Sequence, residues 1–148
     1  MAVKHYGTVP NSEQRKMSGL AFVQGLVDGS QPLNTMAKIL DYDVVEAEVG
    51  QVVITAAPTR EHLNPQGTVH GGYSATLLDA CMGLAVATTL EQGLSSTTLE
   101  FKITFMRPVF PDSGTLTAIG TVLRSGRRAG YAEGKITDTS GKLLAHAT

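Results

Sequence analysis

Asp79 is the only charged side chain between Gly72 and Leu90. That stretch is apolar enough to be buried. An ionised carboxylate buried without a partner is very costly, so Asp79 must be paired, neutralised or used. A helix carboxylate facing a wet subunit interface, or bonding a nearby hydroxyl, is the plain structural reading. Its neighbours favour use. On a helix, positions three, four and seven residues away share a face. For Asp79 these include Gly72, Ala75, Thr76 and Gly83, mostly small, although Met82 and Val86 are larger. Space beside a carboxylate holds a substrate. Cys81 is two residues on, about 200° around the helix, and reads as a small core hydrophobe.

His70-Gly71-Gly72 opens this helix. Two glycines let a ligand approach the backbone closely. The first N–H groups of a helix have no intrahelical partner and lie at the positive end of its dipole. Together they suit a developing oxyanion. His70 itself reads equally well as a loop-fixing side chain. Gly71 and Asp79 are eight residues apart, about 12 Å along one helix. A reacting carbon must lie about 3 Å from both the oxyanion donors and the nucleophile or water. One chain cannot satisfy both. Two antiparallel copies about a two-fold axis can, so catalysis by these residues requires a dimer.

Three further positions carry chemistry. Thr97 shares a strand face with Leu99 and Phe101, and that face is expected to cover the helix and turn the hydroxyl toward the site. Asn64, before Pro65, suits donation to a substrate carbonyl or water, and equally suits a turn. Arg124-Ser125-Gly126-Arg127-Arg128 places three arginines in five residues. Guanidinium forks fit phosphate oxygens, and a solvated hairpin tip is the plain alternative.

The elements that position these residues are legible in outline. Asn11 to Asp28 reads as an amphipathic helix closed by Gly29, Ser30 and Pro32. Ala37 to Val49 reads as extended, turning at Gly50-Gln51 into Val52 to Ala57. Pro58 to Val69 is a loop, and Gly72 to Leu90 is the long helix. Thr97 to Arg107 alternates, with Leu99, Phe101, Ile103 and Phe105 on one face. Strands follow at Gly114 to Leu123, Arg128 to Thr137 and Lys142 to Ala147, the last two joined at Asp138-Thr139-Ser140-Gly141. The chain ends inside this last alternation with no closing turn signal, as if short of a natural end. A helix apolar nearly all round must be wrapped on most sides. One curved antiparallel sheet around one central helix meets that demand, giving an α+β fold.

Composition agrees. The 148 residues form one domain, with 1–32 as an N-terminal helical extension. Charged residues are 17%, against roughly 25% in an average domain, which implies surface covered by another subunit. A net charge of −1 gives no drive toward nucleic acid or anionic membrane. The single cysteine and the absence of an apolar leader in Met1 to Gln14 fit a reducing cytoplasm.

The run Asn64-Pro65-Gln66-Gly67-Thr68-Val69-His70-Gly71-Gly72, followed by Leu77-Leu78-Asp79, resembles the hotdog-fold acyl-CoA thioesterases, and among them the PaaI-like, phenylacetate-degradation branch. Thr97-Thr98-Leu99-Glu100, Arg107-Pro108-Val109 and the region from Gly126 to Ala145 are similar to the same branch. The resemblance covers roughly Leu33 onward. It implies a hotdog fold, a dimer with a continuous sheet, and a tetramer of two dimers. It also implies an acyl-CoA substrate, with no cofactor beyond the coenzyme A of the substrate and no metal. In its terms Asp79 is nucleophile or general base. The Gly71 N–H polarises the thioester carbonyl with help from Asn64, and Thr97 orients Asp79 or water. From the residues themselves, His70 joins these four as a catalytic candidate, and Gly72 with Arg124, Ser125, Gly126, Arg127 and Arg128 are the substrate-binding candidates. Two other readings stand beside hydrolysis: an enoyl-thioester hydratase or dehydratase, in which His70 would serve with the carboxylate, and a non-catalytic acyl-CoA-binding domain.

Overall fold

A computed structural model gives the structure of residues 4–148. The N-terminal amphipathic stretch is two helices rather than one, α1 (Asn11–Gln14) and α2 (Gly19–Asp28). The break falls at Ser18. Its backbone is extended and its hydroxyl oxygen accepts from the Ala21 N–H, so a new helix starts there. Gly29 ends α2 in the left-handed conformation, at φ 80°. The expectation that the chain is extended from Ala37 is also corrected. Residues 37 to 40 belong to α3 (Thr35–Leu40). Asn34 caps α3 through the Ala37 N–H, and Asp41 stops it at φ 50°. A good cap and one inward residue, Ala37, outweigh the alternating pattern, which leaves Met36 and Ile39 exposed.

The strands are β1 (Tyr42–Glu48), β2 (Gln51–Ala56), β3 (Ile103–Phe105), β4 (Leu116–Ser125), β5 (Gly130–Thr137) and β6 (Leu143–Ala147). They form one antiparallel sheet in the order β1-β2-β4-β5-β6-β3. Gly50 turns β1 into β2 at φ 79°. Asp138 builds the β5–β6 turn, its Oδ1 accepting from the Ser140 N–H, the Ser140 hydroxyl and the Lys142 N–H.

The long helix α4 (Gly71–Ala87) lies across this sheet. Tyr73, Ser74, Leu77, Leu78, Cys81, Met82 and Ala85 are its buried residues, spaced by three and four along one face. All but Ser74 meet Val52, Ile54, Leu116, Ala118 and Ile136 in one core. Gly120 of β4 pairs with Gly134 of β5, and the two make a shallow seat for the helix. A Cβ on Gly120 would lie 2.3 Å from the Cys81 carbonyl oxygen, so the helix backbone rests directly on the strand.

The chain's own sheet covers only that face. Gly72 is exposed, and Ala75, Thr76, Asp79, Ala80 and Gly83 are half-buried. The expected strand from Thr97 to Arg107 is also shorter than its pattern. Only Ile103 to Phe105 pair with β6, continued at Lys102 by two hydrogen bonds with Thr148. β3 is an edge, so residues 94 to 101 have no neighbouring strand in the chain, and of the odd-numbered face only Ile103 packs on the core and Phe105 reaches the start of α4. Leu99 is 82% exposed and Phe105 56%.

Gly120→Ala is expected to destabilise the fold by about 1–3 kcal/mol, the usual cost of overpacking a closed contact. Urea unfolding of the variant against the parent checks this.

Candidate active site

The start of α4 is fixed by its own N-terminal histidine. The His70 backbone is extended and its Nδ1 accepts from the Gly72 N–H at 2.9 Å. His70 is thus the helix cap, and the Gly72 N–H is already occupied. The Gly71 N–H has no acceptor among the described residues. The two glycines therefore divide the work, Gly72 holding the cap and Gly71 presenting an unsatisfied donor at the positive end of the helix.

That donor faces a cavity of about 290 Å³, whose walls include Asn64, Thr68, Gly71, Phe105, Val109 and Leu144. The Phe105 ring sits over Gly71, 3.2 Å from where a Cβ would stand, so glycine keeps the opening clear. Asn64 is ordered by its own loop. Its Oδ1 accepts from the Gln66 and Thr68 N–H groups, and its Nδ2 donates to Thr68 Oγ1 at 2.7 Å. The turn reading and the donor reading of Asn64 are thus compatible, since the amide keeps a second N–H.

Asp79 is not in this cavity. It stands half-buried on the uncovered face of α4, and the Thr98 hydroxyl donates to its Oδ1 at 2.7 Å. The hydroxyl on the carboxylate within the chain is therefore that of Thr98. Thr97 makes no side-chain hydrogen bond among the described residues. The alternation had aimed Thr97 at the helix and Thr98 away from it. That inference assumed a sheet strand at 97–98, and residues 94 to 101 are not one.

The chain belongs to the thioesterase superfamily. The model of that family matches residues 66–145, more than half of the chain. Acyl-coenzyme A thioesterase 13 of Mus musculus is 31% identical over 124 residues, covering 76% of this chain and 85% of the mouse protein. The E. coli PaaI protein from the phenylacetic acid degradation operon superposes with a TM-score of 0.76 at 27% identity, over 88% of this chain and 91% of PaaI. A Streptococcus mutans protein solved with acetyl-CoA gives a TM-score of 0.65 at 30% identity, over 72% of this chain and 82% of its own. The sheet wrapped on α4 is the hotdog fold of these relatives, and the chain is a thioester hydrolase.

The arginine segment lies at the far end of this thioesterase's helix. Ser125 Oγ lies 2.8 Å from Thr89 Oγ1, just past the end of α4, and Gly130 is packed against Val86. With 17 residues in α4, that end is about 25 Å from Gly71. Arg124, Arg127 and Arg128 are exposed and have no ion-pair partner among the described residues. Among those residues, no cluster of His, Cys, Asp and Glu is placed to hold a metal, and no helix is long and apolar enough to cross a membrane.

Two cavity residues lay outside the sequence reading. Phe105 was placed on the right strand but not over Gly71. Ser74 lines the cavity one turn after Gly71, and the i, i+3 rule applied to Gly71 rather than to Asp79 finds it.

Cys81 is fully buried, its Sγ donating to the Leu78 carbonyl. Burial pushes its thiol up to about 12. It carries no thiolate near neutrality and is no nucleophile. Native protein is expected to leave a disulfide reagent such as DTNB unreacted at pH 8, and urea-unfolded protein to react with one thiol per chain.

Proposed function

We propose that the enzyme hydrolyses a small acyl- or aryl-CoA thioester to the free acid and coenzyme A, at a site shared by two subunits. One observation carries the reading. The unsatisfied Gly71 N–H opens on a cavity, while Asp79 stands eight residues further on, on a face that its own sheet leaves uncovered. About 12 Å of rigid helix separates the two groups, and one reacting carbon must lie near both. A second copy running antiparallel, with the two-fold axis near Ala75, sets its Asp79 level with Gly71. The exposed Leu99 and Phe101 are apolar surface suited to the same partner, and the uncovered edge of β3 offers it unpaired backbone groups.

In this arrangement the thioester carbonyl accepts from the Gly71 N–H, with the spare Asn64 amide proton beside it. The second copy's Asp79 attacks the carbonyl carbon, or takes the proton of a water that does. The resulting oxyanion stays on Gly71 until the carbon–sulfur bond breaks and coenzyme A leaves as the thiolate. After direct attack the thiolate takes a proton from water, and a second water hydrolyses the acyl–Asp79 anhydride to the acid. In the base route Asp79 hands the water's proton to the thiolate. Thr98 holds one oxygen of Asp79 and leaves the other for the reaction. The Arg124–Arg128 hairpin of the second copy then falls about 15 Å beyond Gly71, ten residues of helix from its Asp79. That suits phosphates on a long arm trailing from the thioester. With a CoA ester as substrate, we place the enzyme in the cytoplasm, the compartment its single cysteine suggests.

The shared site has a direct test. Asp79→Asn is expected to lose about 10²–10⁴-fold in kcat with the fold kept. Gly71→Pro removes the N–H at a position where helices accept proline. Each variant alone is expected to be nearly inactive. Co-refolded in equal amounts, they should recover roughly a quarter of wild-type activity, because half of the dimers then hold one intact site of two. No recovery would place both groups in a site within one chain. Near-wild-type activity of Asp79→Asn alone would refute the role of Asp79.

The arginine hairpin has a separate readout. Replacing Arg124, Arg127 and Arg128 together by Gln is expected to raise KM for acyl-CoA about tenfold or more with little change in kcat. A pantetheine thioester lacking the nucleotide phosphates should be hydrolysed equally by both proteins.

A further inference from the structure

We propose that His62 is a positioning residue of this site. Its ring anchors the arm of the loop that carries Asn64, and so holds the Asn64 amide and the Gly71 N–H on one thioester carbonyl. This rests on the thioesterase reading above, with those two donors at the reacting carbonyl.

Asn64 and Gly71 reach the cavity on the two arms of one small hairpin. The His70 N–H donates to the His62 carbonyl at 2.7 Å and the Asn64 N–H to the Thr68 carbonyl at 2.8 Å, with Leu63 and Val69 paired antiparallel between them. The second arm is held firmly. The Val69 N–H donates to the Val109 carbonyl at 2.8 Å, and α4 continues directly from His70. The first arm follows an exposed stretch, residues 59 to 61. Leu63 packs on the core, and the polar anchoring falls to His62. Its Nδ1 accepts from the Thr59 N–H at 2.9 Å, and its Nε2 donates to the Ile39 carbonyl at 3.1 Å. Among the described residues, the bond to Ile39 is the only one that a side chain of residues 58 to 63 makes outside that segment.

The far side of that bond is a helix end. α3 stops at Leu40, and the last carbonyls of a helix lack intrahelical donors. His62 takes the carbonyl of Ile39, and the Tyr73 hydroxyl donates to that of Leu40 at 2.9 Å. The two rings lie against each other, their centroids 4.8 Å apart. Tyr73 stands in the first turn of α4, just after Gly71 and Gly72. So α3, the Asn64 arm and the start of α4 meet at one side chain. Because Nδ1 accepts, Nε2 carries the proton, and both ring nitrogens are engaged with the backbone. His62 has no bond left for a substrate, so its effect passes through the arm it holds. Misplacing a catalytic group by about 1 Å costs about 10²-fold. Asn64 has one free amide proton, and the anchor just before it in the chain decides where that proton points.

The test is a double-mutant cycle in kcat, run on the fastest ester of a panel of acetyl-, hexanoyl-, decanoyl- and phenylacetyl-CoA. His62→Ala is expected to lower kcat about tenfold with KM within about twofold, the mark of an interaction made in the transition state. His62→Gln, whose amide donor reaches the Ile39 carbonyl, should recover most of that loss. In an Asn64→Ala background the same His62→Ala change should cost less than about twofold, because there is no amide left to aim. A smaller folded fraction would instead multiply with the Asn64 loss. Should His62→Ala fail to fold, His62→Asn takes its place in the cycle, since it keeps an acceptor for Thr59 and is too short for Ile39. Wild-type kcat in the variant, a change confined to KM, no recovery with Gln, or full additivity with Asn64→Ala overturns the role of His62 while hydrolysis itself stands. Failure of the wild type to release thiol from any of the four esters overturns the thioesterase reading and this proposal with it.

Discussion

The depth at which α4 sits on the sheet decides everything around it. Its backbone touches β4 at Gly120, where a single extra carbon would lie 2.3 Å from the Cys81 carbonyl oxygen. The opposite glycine, Gly134, lets Leu78 and Met82 settle into the same seat. Helix and strand are two rigid elements, so this contact fixes the height of the whole helix. Gly71 is thereby brought to the rim of a cavity beside Phe105, and Asp79 is left on the opposite side of the helix from the sheet.

One-sided seating also explains why the chain is so poor in charge. The helix is apolar on nearly every side, yet its sheet buries a single stripe. What remains is small and half-exposed, with one carboxylate in it. The exposed apolar residues of the 94–106 segment extend that surface along the sheet edge. Such a surface carries a free-energy cost in water of roughly 25 cal/mol per Å² of apolar area. In the proposed shared site a second subunit would remove that cost and bring the second set of functional groups, across the roughly 12 Å by which one helix separates them.

The candidate site separates donors from distractors by plain bonding capacity. His70 spends its ring nitrogen on Gly72, which leaves Gly71 as the open donor of the pair. Asn64 spends its carbonyl oxygen and one amide proton on its own loop and keeps one proton. Cys81 is sealed in the core with its thiol protonated. Thr98 rather than Thr97 meets Asp79. The period-two pattern of that segment describes a half-buried sheet strand, but only residues 103 to 105 pair as one. Residues 94 to 101 run along the open edge and stay exposed in the chain.

The sequence by itself determined the local frame. It gave the long helix and its start at His70-Gly71-Gly72, the turns at Gly50 and at Asp138 to Gly141, the antiparallel α+β class, and the separation between Gly71 and Asp79. These follow from covalent spacing, cap chemistry and glycine's freedom, which act within a few residues. It misread the split at Ser18 and the short helix at Thr35–Leu40, where one capping side chain outweighed a hydrophobic pattern. Only the tertiary structure decided which glycine N–H stays open and which threonine reaches Asp79. Those outcomes depend on how deep one helix sits on one sheet, a distance set by packing between residues far apart in the chain, which no local spacing encodes.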